Sequence, residues 1–144
     1  MKKIVAIGND HAGTELKKKV IAKFSENFEF IDCGTDGEES VDYPDYSKKV
    51  CDTVLKNKAE FGILICGTGI GMSISANRNK GIRAGLCFNS LMAKLTRQHN
   101  NANVLCLGAR IIGVDVALDC IKTFAETDFE GGRHQKRIDK IDNN

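Results

Sequence analysis

Gly62-Ile63-Leu64-Ile65-Cys66-Gly67-Thr68-Gly69-Ile70-Gly71 joins a short apolar run to a glycine-rich loop at a single residue, Cys66. The run is strand-like: branched aliphatics, no charge, and a sharp stop. Gly67, Gly69 and Gly71 occupy alternate positions beyond it, which suits a loop of free backbone N–H groups opening a helix. A buried strand that ends in a thiol beside such a loop can hold a nucleophile or base next to an anion hole.

The same rhythm extends in both directions. Strands are expected at Lys3–Gly8, Glu29–Asp32, Phe61–Cys66, Ile82–Cys87 and Asn103–Leu107. Amphipathic helices are expected from about Gly13 to Asn27, Tyr43 to Lys58, Gly71 to Asn79, Ser90 to His99 and Val114 to Thr127. A last, basic helix runs over about 133–141. Pro44, in the first turn after Asp42-Tyr43, is a helix-start signal. Strands alternating with helices predict an α/β fold, a three-layer α/β/α sandwich around a five-stranded parallel sheet of Rossmann-like type. Right-handed crossovers then gather the strand C-terminal ends on one edge. Asn9, Asp10 and His11, then Cys66, then Arg110 are expected to converge there. His99 closes a helix, and this simple topology does not bring it to that edge.

Composition narrows the function classes. The chain of 144 residues is read as one domain, 1–144, with no linker or repeat. A net charge of +2 is too small to argue for nucleic acid or an anionic membrane. No apolar run reaches bilayer length. The start, Met-Lys-Lys-Ile-Val-Ala-Ile-Gly, is basic then apolar, but the run is too short for a signal peptide and Asp10 interrupts it. A cytoplasmic protein is expected. The six cysteines (33, 51, 66, 87, 106 and 120) show no C-x-x-C pair. The three histidines, His11, His99 and His134, are far apart in sequence. Neither a disulfide framework nor a metal is expected, and no cofactor is implied.

Each candidate has a bland alternative. Free cysteines are usually small buried hydrophobes, but Cys66 alone abuts the glycine loop, whose N–H groups favour a thiolate. The loop is no dinucleotide fingerprint: it reads G-x-G-x-G, and the strand Ile82–Cys87 ends without an acidic residue. Met72 stands where a cysteine phosphatase would need arginine. Asp10 could simply cap the next helix, and His99 a helix end. Arg133 and Arg137 share a helix face after Gly131-Gly132. Positive charge in a first turn opposes the macrodipole, which is easier to explain if the two arginines clamp a phosphate.

Taken together, Asp10-His11, Asp42-Tyr43-Pro44, Gly67-Thr68-Gly69-Ile70-Gly71, Arg97-Gln98-His99-Asn100, Asn103-Val104-Leu105 and Gly131-Gly132-Arg133-His134 resemble the type B ribose-5-phosphate isomerases, the family that includes the galactose-6-phosphate isomerase subunits. The resemblance spans nearly the whole chain. It implies metal-free interconversion of D-ribose 5-phosphate and D-ribulose 5-phosphate through an enediolate. By that resemblance Cys66 is the base between C2 and C1. Thr68 assists at the sugar oxygens, His99 opens the ring, and Asp10 helps at the anomeric hydroxyl. Asn100 hydrogen-bonds the sugar, and His11, Arg110, Arg133 and Arg137 bind phosphate with His134 nearby. Gly67, Gly69, Ile70 and Gly71 line the site. Relatives that carry a glutamate after the loop have it where Met72 stands, which groups this chain with the cysteine type. The resemblance also implies a homodimer, or a dimer of dimers, in which the partner's basic tail completes each site. Allose 6-phosphate or galactose 6-phosphate isomerisation, and non-catalytic sugar-phosphate binding, are the competing readings.

Overall fold

The computed structural model describes residues 1–144. Its strands are β1 (Lys3–Asn9), β2 (Phe28–Asp32), β3 (Phe61–Cys66), β4 (Ala84–Leu86) and β5 (Val104–Gly108). Its helices are α1 (Thr14–Phe24), α2 (Tyr43–Leu55), α3 (Ile70–Ala76), α4 (Ser90–Asn100), α5 (Val114–Glu126) and α6 (Arg133–Asp142). All pairings are parallel, in the order β2-β1-β3-β5-β4.

Strand side chains alternate between two cores, as the period of two requires. Val5, Ile7, Ile63, Ile65, Leu105 and Leu107 point one way, against Leu16, Val20 and Phe24 of α1, Ala93 of α4, and Ala117, Ile121 and Phe124 of α5. Ala6, Leu64, Cys66, Val104 and Cys106 point the other way, against Val50, Cys51 and Val54 of α2 and Met72 and Ala76 of α3. A sheet covered on both faces explains the near-continuous apolar strands. The three-layer architecture is the one the alternation predicts.

Several elements are shorter than the sequence suggests: α2 stops at Leu55 rather than Lys58 and α3 at Ala76 rather than Asn79, and β4 and the start of α1 differ for visible local reasons. β4 keeps three residues as an edge strand: Arg83 is held by Asn103 Oδ1, and the flanking Ile82 bonds back to Asn79. The expected helix from Gly13 begins instead as a 3-10 turn over His11–Gly13. There the chain bends tightly onto β3, and a Cβ on Gly13 would lie 2.7 Å from Ile65 Cγ2.

The order of strands sets the place of the site. From β1 the chain moves outward to β2, then crosses back to β3 on the other side of β1. That reversal opens a crevice above the C-terminal ends of β1 and β3, the usual ligand position in open α/β sheets.

Candidate active site

The crevice is built from three strand ends. Asp10 N–H continues the ladder by donating to Ile65 O at 3.2 Å. Its buried carboxylate accepts from Ala12 N–H at 3.0 Å, so Asp10 caps the 3-10 turn. His11 follows, and its Nδ1 accepts from Val41 N–H at 3.2 Å. With that lone pair engaged, the neutral ring carries its proton on Nε2. The residues around 33–42 that position Val41 are pinned by Lys17, whose buried Nζ meets Asp36 Oδ1 at 2.6 Å, Thr35 O at 2.7 Å and Asp32 Oδ2 at 3.1 Å.

Cys66 is the last residue of β3, and its Sγ accepts from Gly69 N–H at 3.2 Å. Gly69 is left-handed (φ 81°), and a Cβ there would lie 2.6 Å from Leu86 Cδ1, so only glycine turns the loop back onto the sulfur. Ile70 N–H donates to Thr68 Oγ1 at 3.1 Å. The amides of Gly67, Thr68 and Gly71 donate to no other protein group. The expected loop of free backbone N–H groups therefore keeps three of them, with the Gly69 and Ile70 amides engaged within the loop.

The loop after β5 zips onto this one. Ala109 N–H donates to Cys66 O and Arg110 N–H to Gly67 O, both at 2.9 Å. The Arg110 guanidinium lies over Gly67, where a Cβ would meet Nη1 at 3.3 Å. The Tyr43 ring packs against Gly71, where a Cβ would come within 2.6 Å of Cζ. Sequence reading placed Tyr43 in a motif without giving it a role; only the fold brings α2 beside the loop.

Burial raises the proton affinity of the other thiols. Cys87 is pushed up to about 12 and Cys51 and Cys120 to about 11, while Cys33 and Cys106 are also raised.

The second group of candidates lies elsewhere. α4 starts beside the C-terminal end of β4 and runs back along the sheet, so His99 and Asn100 end about 15 Å away, at the opposite edge. Arg97 Nη1 there donates to Ala102 O at 2.6 Å, just before β5. α6 joins this edge, tied down by Arg83 and Asp142 (2.9 Å). It exposes Arg133 and Arg137. His134 is buried and stacks on His99, with ring centroids 4.4 Å apart. Burial first, then His99 and Arg133, lowers its proton affinity. Glu130 Oε1 faces both rings, at 3.4 Å from His134 Nε2 and 3.8 Å from His99 Nε2. The sequence offered no clustered histidines and carboxylates; the fold assembles one set. Its only linear trace is the four-residue spacing of Glu130 and His134.

Thus one chain brings Asp10, His11, Cys66, Gly67, Thr68, Gly69, Ile70, Gly71 and Arg110 to one edge. His99, Asn100, Arg133, His134 and Arg137 stand at the other. A concavity of about 670 Å³ between Lys3, Lys23, Phe24 and Lys122 holds none of these residues.

Between the two edges, α4 leaves Leu91, Met92 and Leu95 exposed along one stripe. Ile70 and Ile74 of α3 are exposed as well. No helix is long and apolar enough to cross a membrane.

Comparison with known proteins gives a consistent result. The family model described as Ribose/Galactose Isomerase matches residues 5–141. A putative sugar phosphate isomerase of Bacillus subtilis is 49% identical over 95% of this chain and 93% of its own. Ribose-5-phosphate isomerase B of Escherichia coli is 45% identical over 98% and 95%. The crystal structure of a ribose 5-phosphate isomerase from Thermotoga maritima superposes with a TM-score of 0.97 at 54% identity, covering all of both chains. The type B enzyme of Trypanosoma brucei gives 0.92 at 46% identity, with 99% of each chain covered.

Proposed function

The chain belongs to the ribose/galactose isomerase family, and on that premise we propose that it interconverts D-ribose 5-phosphate and D-ribulose 5-phosphate in a site shared by two copies of the chain. The observation that carries this reading is the Cys66 thiol, held by Gly69 N–H at the edge that also carries Asp10, His11 and Arg110, with His99 at the far edge.

Cys66 is the base that shuttles a proton between C2 and C1. The Gly69 N–H holds its sulfur in place, and the developing enediolate oxygens take the free amides of Gly67, Thr68 and Gly71. Thr68 Oγ1, an acceptor to Ile70 N–H, keeps its own proton for the sugar oxygens. His11 offers Nε2–H and Arg110 its guanidinium to the phosphate. Asp10 faces the anomeric hydroxyl. Phosphate binding away from the reacting carbons orients C1 and C2 against the sulfur.

His99 opens the furanose by protonating the ring oxygen, and Asn100 holds the sugar. Arg133 and Arg137 complete the phosphate clamp, with His134 beside them. These groups come from the second copy. A twofold axis across the Leu91, Met92 and Leu95 stripe would run α4 antiparallel to its mate. The end of one α4 then sits near the start of the other, which joins the two edges. The exposed apolar stripe supports that arrangement.

The test is isomerisation of ribose 5-phosphate beside allose 6-phosphate on chelator-treated protein, compared as kcat/KM. Preference for ribose 5-phosphate is expected. Preference for the six-carbon sugar would keep the chemistry and change the substrate, and turnover of neither would leave a partner-dependent isomerase or a binding protein.

A further inference from the structure

Glu130, His134 and His99 come from the link after α5, the first turn of α6 and the last turn of α4. Their donor atoms all lie within 4.8 Å of one another. Glu130 is placed from both sides. Its N–H donates to Gln98 O at 3.1 Å, and the left-handed turn at Gly131 and Gly132 (φ 70° and 55°) redirects the chain into α6. The His134 side chain is only 9% exposed, and its Nε2, 3.4 Å from Glu130 Oε1 and beneath the stacked His99 ring, has no hydrogen-bond partner. A buried polar nitrogen left unpaired is costly and calls for a ligand or a reason.

We propose that His99, Glu130 and His134 form a binding site for a divalent transition-metal ion of the zinc class, with the fourth position left to solvent. Two imidazoles and a carboxylate suit Zn²⁺, Co²⁺ or Ni²⁺ better than Mg²⁺ or Ca²⁺. Bonds of about 2.0–2.2 Å in a tetrahedron put neighbouring ligand atoms about 3.3–3.5 Å apart. The 3.4 Å separation of Glu130 and His134 already meets that. His99, 39% exposed at its side chain, supplies the closing movement by turning its ring out of the stack. The metal takes the imidazole that ring opening requires, so on the function proposed above it inhibits turnover; this consequence, unlike the site, rests on that reading.

The test is titration of chelator-treated full-length protein with Co²⁺, followed by visible absorption, then displacement by Zn²⁺. One tetrahedral-type Co²⁺ per chain is expected, without the near-ultraviolet charge-transfer band that thiolate ligation gives. Glu130→Gln, a half-exposed position that should fold normally, is expected to weaken binding by more than about a hundredfold, beyond the loss typical of an outer-shell partner. Absence of a Co²⁺ spectrum, a thiolate band, or unchanged affinity in Glu130→Gln would overturn the site. In parallel, Zn²⁺ should suppress wild-type isomerisation, and Glu130→Gln should lose that sensitivity, read as the ratio of rates with and without Zn²⁺. Binding without inhibition would uphold the site and contradict the role given to His99.

Discussion

Cys66 differs from the five other cysteines in what its sulfur touches. A backbone N–H from a left-handed glycine points at it, whereas burial first, and nearby negative charge after it, pushes up the thiols of Cys51, Cys87, Cys106 and Cys120. Cys66→Ala is expected to lower kcat by about 10²–10⁴-fold, the usual worth of a positioned base. Phosphate affinity, measured by calorimetry with inorganic phosphate, should change little; near-normal turnover would remove Cys66 from the mechanism. Gly69→Ala should cost about 1–3 kcal/mol in chemical denaturation, because its φ of 81° disfavours a side chain and a Cβ would press on Leu86. At this scale the sequence spoke clearly where the partners are contiguous. Cys66 and the glycines lie in one short run, so their spacing marked the loop; the role given to Thr68 within it came only with the family resemblance. Glu130 and Tyr43 were given no role, because each meets its partners only through the packing of helices distant in sequence.

Among the elements, the segment 33–42 between β2 and α2 depends on one buried cation. Lys17 holds Asp32, Thr35 and Asp36, and the segment in turn presents Val41 N–H to His11. Lys17→Met should lower stability by about 1.5–3 kcal/mol, the range for hydrogen bonds to charged groups. Hydrogen exchange of residues 33–42 should rise with it. The Lys17 ammonium, by hydrogen bond and then by charge, holds the Asp36 carboxyl below its ordinary value. A depressed carboxylate stabilises the fold above its unfolded pKa, and that contribution is lost as pH falls through the folded one. The stability gap between wild type and Lys17→Met should therefore narrow on acidification, and a gap independent of pH would contradict the pairing. Helix and strand existence was legible from periodicity throughout. The ends were not: the 3-10 turn at His11–Gly13 follows from the Asp10 cap and the close contact of Gly13 with Ile65, neither of which leaves a periodic trace.

For the whole molecule, the decisive feature is that α4 separates the candidate groups onto opposite edges of one sheet. The sequence pattern gave the convergence of Asp10, His11, Cys66 and Arg110, because parallel topology fixes where strands end. It left His99 unplaced, because a crossover helix returns its C-terminus to the wrong edge for a single chain. Pairing across the α4 stripe is the proposed remedy. Leu91→Glu with Leu95→Glu should give a monomer by sedimentation and reduce isomerisation to background. A monomer that retains turnover would show that one chain suffices.

The most direct measurement joins two inactive chains. Differently tagged Cys66→Ala and Arg133→Ala proteins are unfolded together, refolded, and purified as mixed dimers. A shared site predicts recovery of about half the wild-type turnover, since one of the two sites then combines an intact Cys66 with an intact Arg133 from the other chain. Mixed dimers as inactive as either parent would mean that each site is built within one chain, and the account of catalysis given above would be wrong.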